Sequence, residues 1–195
     1  MMKNTRKFTL IEHIIIIYKA SLSFLYLKLF KRKNGINFKL KERIMLAITE
    51  VNGCAMCSYV HTKLAIKAGL SDQDIKALLE GELSNVPKEE ALAILFAKDY
   101  AYNHEKIDQA FYQKLIEKYG TRKARAILGV SQVITMTNGM GISLDHLKGT
   151  LTFKHVKGSC VLNELLIPIF TMVLFPIFLL FNLFVIPFYN LRYRT

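Results

Sequence analysis

Apolar residues recur at helical spacing along most of this chain. Positions i, i+3 and i+4 share one face of a helix, so the pattern predicts helices, and no convincing alternating run of Val, Ile and Thr predicts a strand. Besides a short helix that Ser71 caps, the predicted helices cover residues 8–30, 38–51, 54–67, 86–103, 107–120 and 121–141. The predicted fold class is therefore all-α.

Glycines and capping residues divide the chain into segments. Gly35, Gly53 and Gly120 each follow a helical run as a stop signal, and acidic residues follow Ser71 in the first turn of its helix. The helix 8–30 is amphipathic, and it either packs on the domain core or lies on a bilayer. The segments are an N-terminal amphipathic helix with a basic stretch (1–35), a helical domain (36–150), a basic linker (151–164) and a hydrophobic segment (165–191).

The hydrophobic segment 165–191 contains no charged residue. About 20 apolar residues in a helix cross the roughly 30 Å hydrocarbon layer, so we predict a transmembrane or re-entrant segment. Pro168, Pro176 and Pro187 each remove a backbone donor, which leaves a bent span and a re-entrant hairpin both open. Basic residues flank the segment on both sides: Lys148, Lys154, Lys157, Arg192 and Arg194.

Charge and composition narrow the choice of partner. Lys and Arg outnumber Asp and Glu 27 to 15, and the net charge of +12 attracts nucleic acid or anionic lipid. The aromatic residues concentrate in the terminal apolar segments, which favours membrane lipid and argues against nucleic acid. The N-terminus lacks the layout of a cleaved secretory signal, because Glu12 and His13 interrupt the apolar run. We expect a cytoplasmic domain anchored by its C-terminal segment.

The most informative motif is GCAMCSYVH, residues 53–61. A close cysteine pair in a reducing compartment is typical of catalysis or metal binding. The turn before the helix places Cys54 at a helix N-terminus, where the dipole favours a thiolate. Cys57 follows one turn later and His61 another four residues on, so His61 is positioned to accept a proton from Cys57 directly or through water.

Glu42 precedes the motif on the previous helix. A helical hairpin with its turn near Gly53 would fold Glu42 back against the thiol helix, where a carboxylate can orient the imidazole of His61 and shuttle protons. By spacing alone, Glu42 is more typical of an ordinary surface charge, and His61 also fits an ordinary core or surface histidine.

Several other interpretations of the motif remain open. A zinc site would use the two thiolates and His61, but it lacks a fourth ligand, because His104, His146 and His155 are scattered. A thioredoxin-like domain requires a βαβ neighbourhood that this helical chain does not predict. A non-enzymatic, membrane-tethered helical oligomer with inert cysteines is the alternative function. Cys160 is either an idle thiol or an acylation site beside the apolar segment.

The order Glu42, Cys54, Cys57 and His61, followed by SDQDIKAL and later TNGMGISLDHL with Asn138, resembles the carboxymuconolactone decarboxylase family over residues 40–147. Within that family the sequence is most similar to the alkylhydroperoxidase D branch. The resemblance implies an alkylhydroperoxidase D-like helical bundle that forms a homo-oligomer, a trimer or hexamer, and reduces hydroperoxides without a cofactor or metal.

The resemblance also assigns roles to the site residues. Cys57 would be the peroxidatic thiol, Cys54 would resolve its sulfenic acid as a disulfide, and Glu42 with His61 would relay protons. An unidentified thiol or dithiol reductant would complete the cycle. The family pattern has a histidine immediately before the second cysteine, whereas this chain has Met56, whose thioether cannot relay a proton. The predicted function is therefore a membrane-anchored thiol peroxidase or disulfide oxidoreductase.

Overall fold

The computed structural model describes residues 5–31, 35–154 and 156–191, with side chains as far as Ile186. These ranges contain eight helices and no strand, so the all-α prediction is confirmed. The helices are α1 (Leu10–Leu29), α2 (Phe38–Asn52), α3 (Ala55–Lys67), α4 (Asp72–Leu79), α5 (Lys88–Tyr102), α6 (Gln109–Tyr119), α7 (Thr121–Leu151) and α8 (Val161–Leu191). Part of the basic stretch (residues 32–34) and the residues His155, Arg192 and Arg194 lie outside the described part of the chain.

Side-chain caps explain where several helices begin. The Ser71 hydroxyl accepts the backbone N–H of Asp74, and the Asp74 carboxylate accepts the N–H of Ser71 in return, which forms a capping box at the start of α4. Helix α2 ends at Gly53, whose φ of 76° lies in the left-handed region that favours glycine. The α2–α3 connection is therefore the tight turn that the sequence predicts.

Helix α7 is the central element of the structure. It packs against α2, α3, α5 and α6 on one side and against α1 and α8 on the other. The main core, between α7 and α2 to α6, contains fully buried side chains such as Leu46, Ile94, Phe96 and Ile127. Helix α1, which the sequence allowed either in the core or on a bilayer, thus packs along α7.

Helix α7 continues to Leu151, ten residues beyond the predicted end at Gly141. Gly139 and Gly141 resemble stop signals in the sequence, but they are interior positions where neighbouring side chains approach the helix closely. A Cβ at position 139 would lie 2.5 Å from two ring atoms of His13. The glycines are thus explained by packing.

Helix α8 is one continuous helix through Pro168 and Pro176, where the sequence left open a bent span or a re-entrant hairpin. It starts at Val161, so the linker is shorter than predicted. The helix packs along α1 and α7. Leu10–Leu29, Thr121–Leu151 and Val161–Ile186 are each long and apolar enough to cross a membrane, by length and composition.

Candidate functional site

The two cysteines of the motif form one compact, buried unit. Cys54 is the N-cap of α3, and its Sγ accepts the backbone N–H of Cys57 at 3.3 Å. The two sulfurs are joined as a disulfide, with the Cα atoms 5.3 Å apart. Cys54 is 2% exposed and Cys57 is 6% exposed. The α2–α3 turn thus places the Cys54 sulfur at the N-terminus of α3, where it is bonded to the sulfur of Cys57 in the first turn of the helix.

Glu42 and His61 meet beside this unit, as the helical hairpin predicts. Nδ1 of His61 lies 2.7 Å from Oε2 of Glu42. An ionised carboxylate can only accept a hydrogen bond, so beside an ionised Glu42 the imidazole would donate from Nδ1. Nε2 is then the nitrogen that can accept a further proton.

The Glu42 carboxylate is completely buried. Burial of an isolated charge is costly, and the ammonium of Lys41, 3.4 Å from the second carboxylate oxygen, provides a cationic partner. Lys41 is partly exposed, with 38% of its side chain accessible, while the His61 side chain is 13% accessible. The buried carboxylate of Glu42 therefore lies between two more exposed side chains, the ammonium of Lys41 and the imidazole of His61.

The thiol unit and the proton-relay candidates occupy neighbouring turns of α3. The Cys57 sulfur is bonded to Cys54 and lies 3.6 Å from the carbonyl oxygen of Thr137. In the reduced protein, the Cys57 thiol can donate a hydrogen bond to this oxygen. His61 is bonded to Glu42 and begins the turn after Cys57. The four predicted residues thus lie in one region of the structure, as the disulfide pair Cys54–Cys57 and the hydrogen-bonded pair Glu42–His61.

Helix α7 closes the site from the other side, through a residue that sequence reasoning did not single out. A Cβ added at Gly141 would lie 2.8 Å from Sγ of Cys54, 3.1 Å from Cε of Met56 and 3.2 Å from Sγ of Cys57. The sequence does contain a signal for this close approach. A glycine inside a helix lowers helix stability by roughly 1 kcal/mol relative to alanine, so its presence in an apolar helix indicates close packing.

The surroundings of the cysteines are apolar. Both belong to a buried cluster that includes Phe8 of the N-terminal segment, Ile142 of α7 and Ile167 of α8. Met56, at the position where the family pattern has histidine, is 45% exposed. The low polarity of this cluster strengthens electrostatic interactions within it and favours an uncharged thiol over a thiolate in the absence of a charged or dipolar partner.

The remaining candidate residues lie outside this arrangement. Asn138 is fully buried and accepts a hydrogen bond from the Thr49 hydroxyl at 3.2 Å. His104 lies near Glu12, and His146 contacts Thr5. Cys160 is a free, exposed cysteine. Within the described ranges, no group of three His, Cys, Asp or Glu side chains is arranged to hold a metal ion.

Comparison with known proteins supports the family that the motif indicates. Residues 18–99 match the model of the carboxymuconolactone decarboxylase family, which confirms the predicted resemblance. The match spans less than half of the 195-residue chain, and it contains Glu42, Cys54, Cys57 and His61. No curated protein and no solved structure gives a significant match. Residues 18–99 are therefore similar to the carboxymuconolactone decarboxylase family, and they lie within an all-helical fold.

Proposed function

We propose that this protein is a membrane-associated, thiol-dependent peroxidase or disulfide oxidoreductase of the alkylhydroperoxidase D type. One observation carries the proposal: two cysteines at bonding distance share a helix with a histidine that is oriented by a buried carboxylate. A nucleophilic thiol needs a nearby proton acceptor and a means of forming its thiolate, and this region contains both.

The proposed cycle begins with attack of the Cys57 thiolate on the distal oxygen of a hydroperoxide. The O–O bond breaks, the sulfur becomes a sulfenic acid, and the leaving alkoxide takes up a proton to give the alcohol. The Cys54 thiol then attacks the sulfenic sulfur, forming the disulfide and releasing water. A thiol or dithiol reductant reduces this disulfide and is itself oxidised, which restores both thiols.

His61 and Glu42 are the proposed proton relay. In this scheme, Nε2 of His61 accepts the thiol proton and returns it to the leaving oxygen, while Glu42 stabilises the imidazolium through Nδ1. The position of Cys54 at the helix N-cap is a reason to consider it the more acidic thiol. The assignment of the attacking thiol to Cys57 rests on the family resemblance, so the experiment has to distinguish the two sulfurs.

Membrane association is supported by the composition of the C-terminal helix. Its Val161–Ile186 part is long and apolar enough to cross a membrane, and most of it is not buried inside the protein. A site held at a membrane would reach hydroperoxides of lipid acyl chains, and we propose these as the substrate class. The proposed partners are a hydroperoxide substrate, a thiol or dithiol reductant and membrane lipid. We also propose that several copies of the chain form a homo-oligomer.

The test uses the full-length, reduced protein in detergent micelles. After one equivalent of cumene hydroperoxide, intact mass is followed with time in the wild type and in Cys54→Ser, Cys57→Ser and His61→Ala variants. Formation of the disulfide lowers the mass by about 2 Da, and we expect this in the wild type, more slowly in His61→Ala, and in neither cysteine variant.

Trapping with dimedone identifies the attacking sulfur. If Cys57 attacks, the Cys54→Ser variant accumulates a sulfenic acid that dimedone captures, whereas Cys57→Ser captures none. The reverse pattern would assign the attack to Cys54 and retain the peroxidase. An unchanged mass over hours in the wild type would reject the peroxidase and leave a non-enzymatic, membrane-tethered helical module.

A further inference from the structure

Helix α8 has its polar side chains buried against the protein and its apolar side chains exposed, which is the opposite of a surface helix in water. The polar side chains Glu164, Thr171 and Asn182 are at most 5% exposed and lie on the packed side of the helix. The opposite side consists of exposed apolar residues, among them Leu162, Leu165, Ile169, Met172, Val173, Ile177, Leu180, Phe181 and Phe184. A helix facing water carries its polar residues outward, so the outward face of α8 is suited to an apolar environment.

The buried polar residues of α8 each bind a partner in the protein. The Thr171 hydroxyl lies 2.9 Å from Nε2 of His13, and the Asn182 amide donates to the hydroxyl of Ser21 at 2.8 Å. Both partners belong to α1. Such hydrogen bonds hold neighbouring helices together where their other sides face lipid. They also show that α8 is docked along α1 rather than extended away from the domain.

Helix α1 extends the exposed apolar surface. Ile11, Ile15 and Tyr18 are 76%, 51% and 36% exposed, and they follow one another at helical spacing. The Tyr18 ring packs edge-on against Phe178 of α8, with the ring centroids 5.6 Å apart. We call the exposed residues of α8 together with these three the apolar face. An apolar surface of this extent on a soluble protein marks an interaction site.

The packing of α8 determines how this face can meet a bilayer. Helix α8 packs lengthwise on α1 and α7, and α7 packs on its far side against α2, α3, α5 and α6. Helices α5 and α6 carry exposed charges, including Lys88, Glu89, Lys114 and Glu117. If the docked α8 crossed the membrane, α7 and the charged helices beside it would be drawn into the hydrocarbon layer, where charged side chains are strongly unfavourable.

We infer that α8 and α1 lie in the plane of the membrane and immerse the apolar face in one leaflet, so that the domain rests on the surface. Exposed lysines occur on α1 and around the α7–α8 connection: Lys19, Lys28, Lys148, Lys154 and Lys157. Together with the net charge of +12, they favour anionic headgroups. If a second copy of the chain covered the apolar face instead, the exposed lysines of the two copies would be brought together and would repel each other.

This inference rests on the membrane part of the proposed function and is independent of the peroxidase chemistry. It is tested by spin-label depth measurements on the full-length protein in its Cys54–Cys57 disulfide form, with Cys160→Ser as background. Nitroxides are attached to single cysteines introduced as Leu165→Cys, Met172→Cys and Phe184→Cys, all exposed apolar positions. Accessibility to oxygen and to a nickel chelate is measured in phosphatidylcholine–phosphatidylglycerol vesicles, with Lys114→Cys as a control in water.

An in-plane helix gives similar depths for all three labels, within about 10 Å of the headgroup boundary. A spanning helix separates the first and last labels by roughly 28 Å along its axis and places Met172→Cys well below Leu165→Cys, which would overturn the inference. Labels that contact no lipid, on a protein that sediments as a dimer without vesicles, would assign the face to a second copy instead. Binding that persists unchanged on pure phosphatidylcholine would reject the role of the lysines.

Discussion

Glu42 at the start of α2 and His61 in the middle of α3 are 2.7 Å apart, although the α2–α3 turn separates them in the sequence. The carboxylate is completely buried, so the imidazole has a fixed orientation. Cys57 lies on the preceding turn of α3, and the sulfurs belong to a buried apolar cluster. The proposed relay assigns the thiol proton to this imidazole, which lies one helical turn after Cys57.

We predict that Glu42→Gln slows disulfide formation by about 100-fold, because the neutral amide no longer stabilises an imidazolium. The rate is measured by stopped-flow or quenched mass analysis after addition of hydroperoxide. Glu80→Gln is the matched control, since Glu80 is exposed on α4 and its loss leaves the site intact. Equal rates in Glu42→Gln and wild type would exclude Glu42 from the relay.

Gly141→Ala tests the close approach of α7 to the cysteines. The added Cβ would lie 2.8 Å from the Cys54 sulfur, so we expect a net loss of about 1–3 kcal/mol in the free energy of unfolding, despite the better helix propensity of alanine. Gly129→Ala, on the same helix, is the control. Its Cβ meets Ser23 at 3.4 Å, and stability should be unchanged or rise by up to about 1 kcal/mol.

Urea denaturation of both variants in their disulfide form measures this difference. The reduced Gly141→Ala protein should also close its disulfide more slowly than reduced Gly129→Ala, because the sulfurs must move to accommodate the methyl group. Equal stability of the two variants would mean that the sulfurs have room to shift, and that the glycine is not required for the geometry of the site.

Asn182→Ala tests whether α8 is docked on α1. The substitution leaves the buried hydroxyl of Ser21 without its amide donor, and we expect a loss of about 1–3 kcal/mol, measured by thermal or urea unfolding in detergent. Leu180→Ala, on the exposed side of the same helix, should change stability far less under these conditions. If Asn182→Ala also leaves stability unchanged, α8 is detached from α1 in solution.

Arg6→Gln tests the attachment of the N-terminal segment that covers the site. Arg6 donates to both oxygens of Glu105, at 2.5 and 2.7 Å, and its backbone N–H donates to the carbonyl of Asn52, just before the cysteine motif. Both side chains are almost fully buried, so losing the guanidinium should cost about 3–5 kcal/mol. Chemical denaturation provides the measurement, with exposed Arg122→Gln as the control.

The double variant Arg6→Gln, Glu105→Gln completes a mutant cycle. Removing both charges eliminates the uncompensated buried carboxylate, so the double variant should be more stable than Arg6→Gln alone. Additive losses would show that the two side chains contribute independently.

Local signals were sufficient to predict much of this fold. The capping box at Ser71 and the glycine turn at Gly53 fix the ends of helices through hydrogen bonds and φ preferences that depend on neighbouring residues only. The hairpin formed at Gly53 then brings Glu42 to His61 without any information from distant parts of the chain. For these reasons the contact between Glu42 and His61 could be predicted from the sequence.

Tertiary packing decided what the sequence could not predict. Gly139 and Gly141 resemble helix ends, yet α7 passes through both because His13 and the cysteines occupy the space that side chains would fill. Pro168 and Pro176 suggest breaks, but α8 continues through them while docked on its neighbours. The sequence does not show which side of α8 is packed, because this depends on contacts with a distant helix, such as the hydrogen bond from Asn182 of α8 to Ser21 of α1.

The packing of α1 against both α7 and α8 determines the order in which the chain can complete its fold during synthesis. His13 and Ser21 bind residues 158 and 161 positions later in the sequence. At typical elongation rates of about 5–20 residues per second, α1 emerges roughly 8–30 s before the helix that covers it. During that interval the apolar side chains of α1 have no partner in α8, and a chaperone or the membrane surface can shield them until α8 is made.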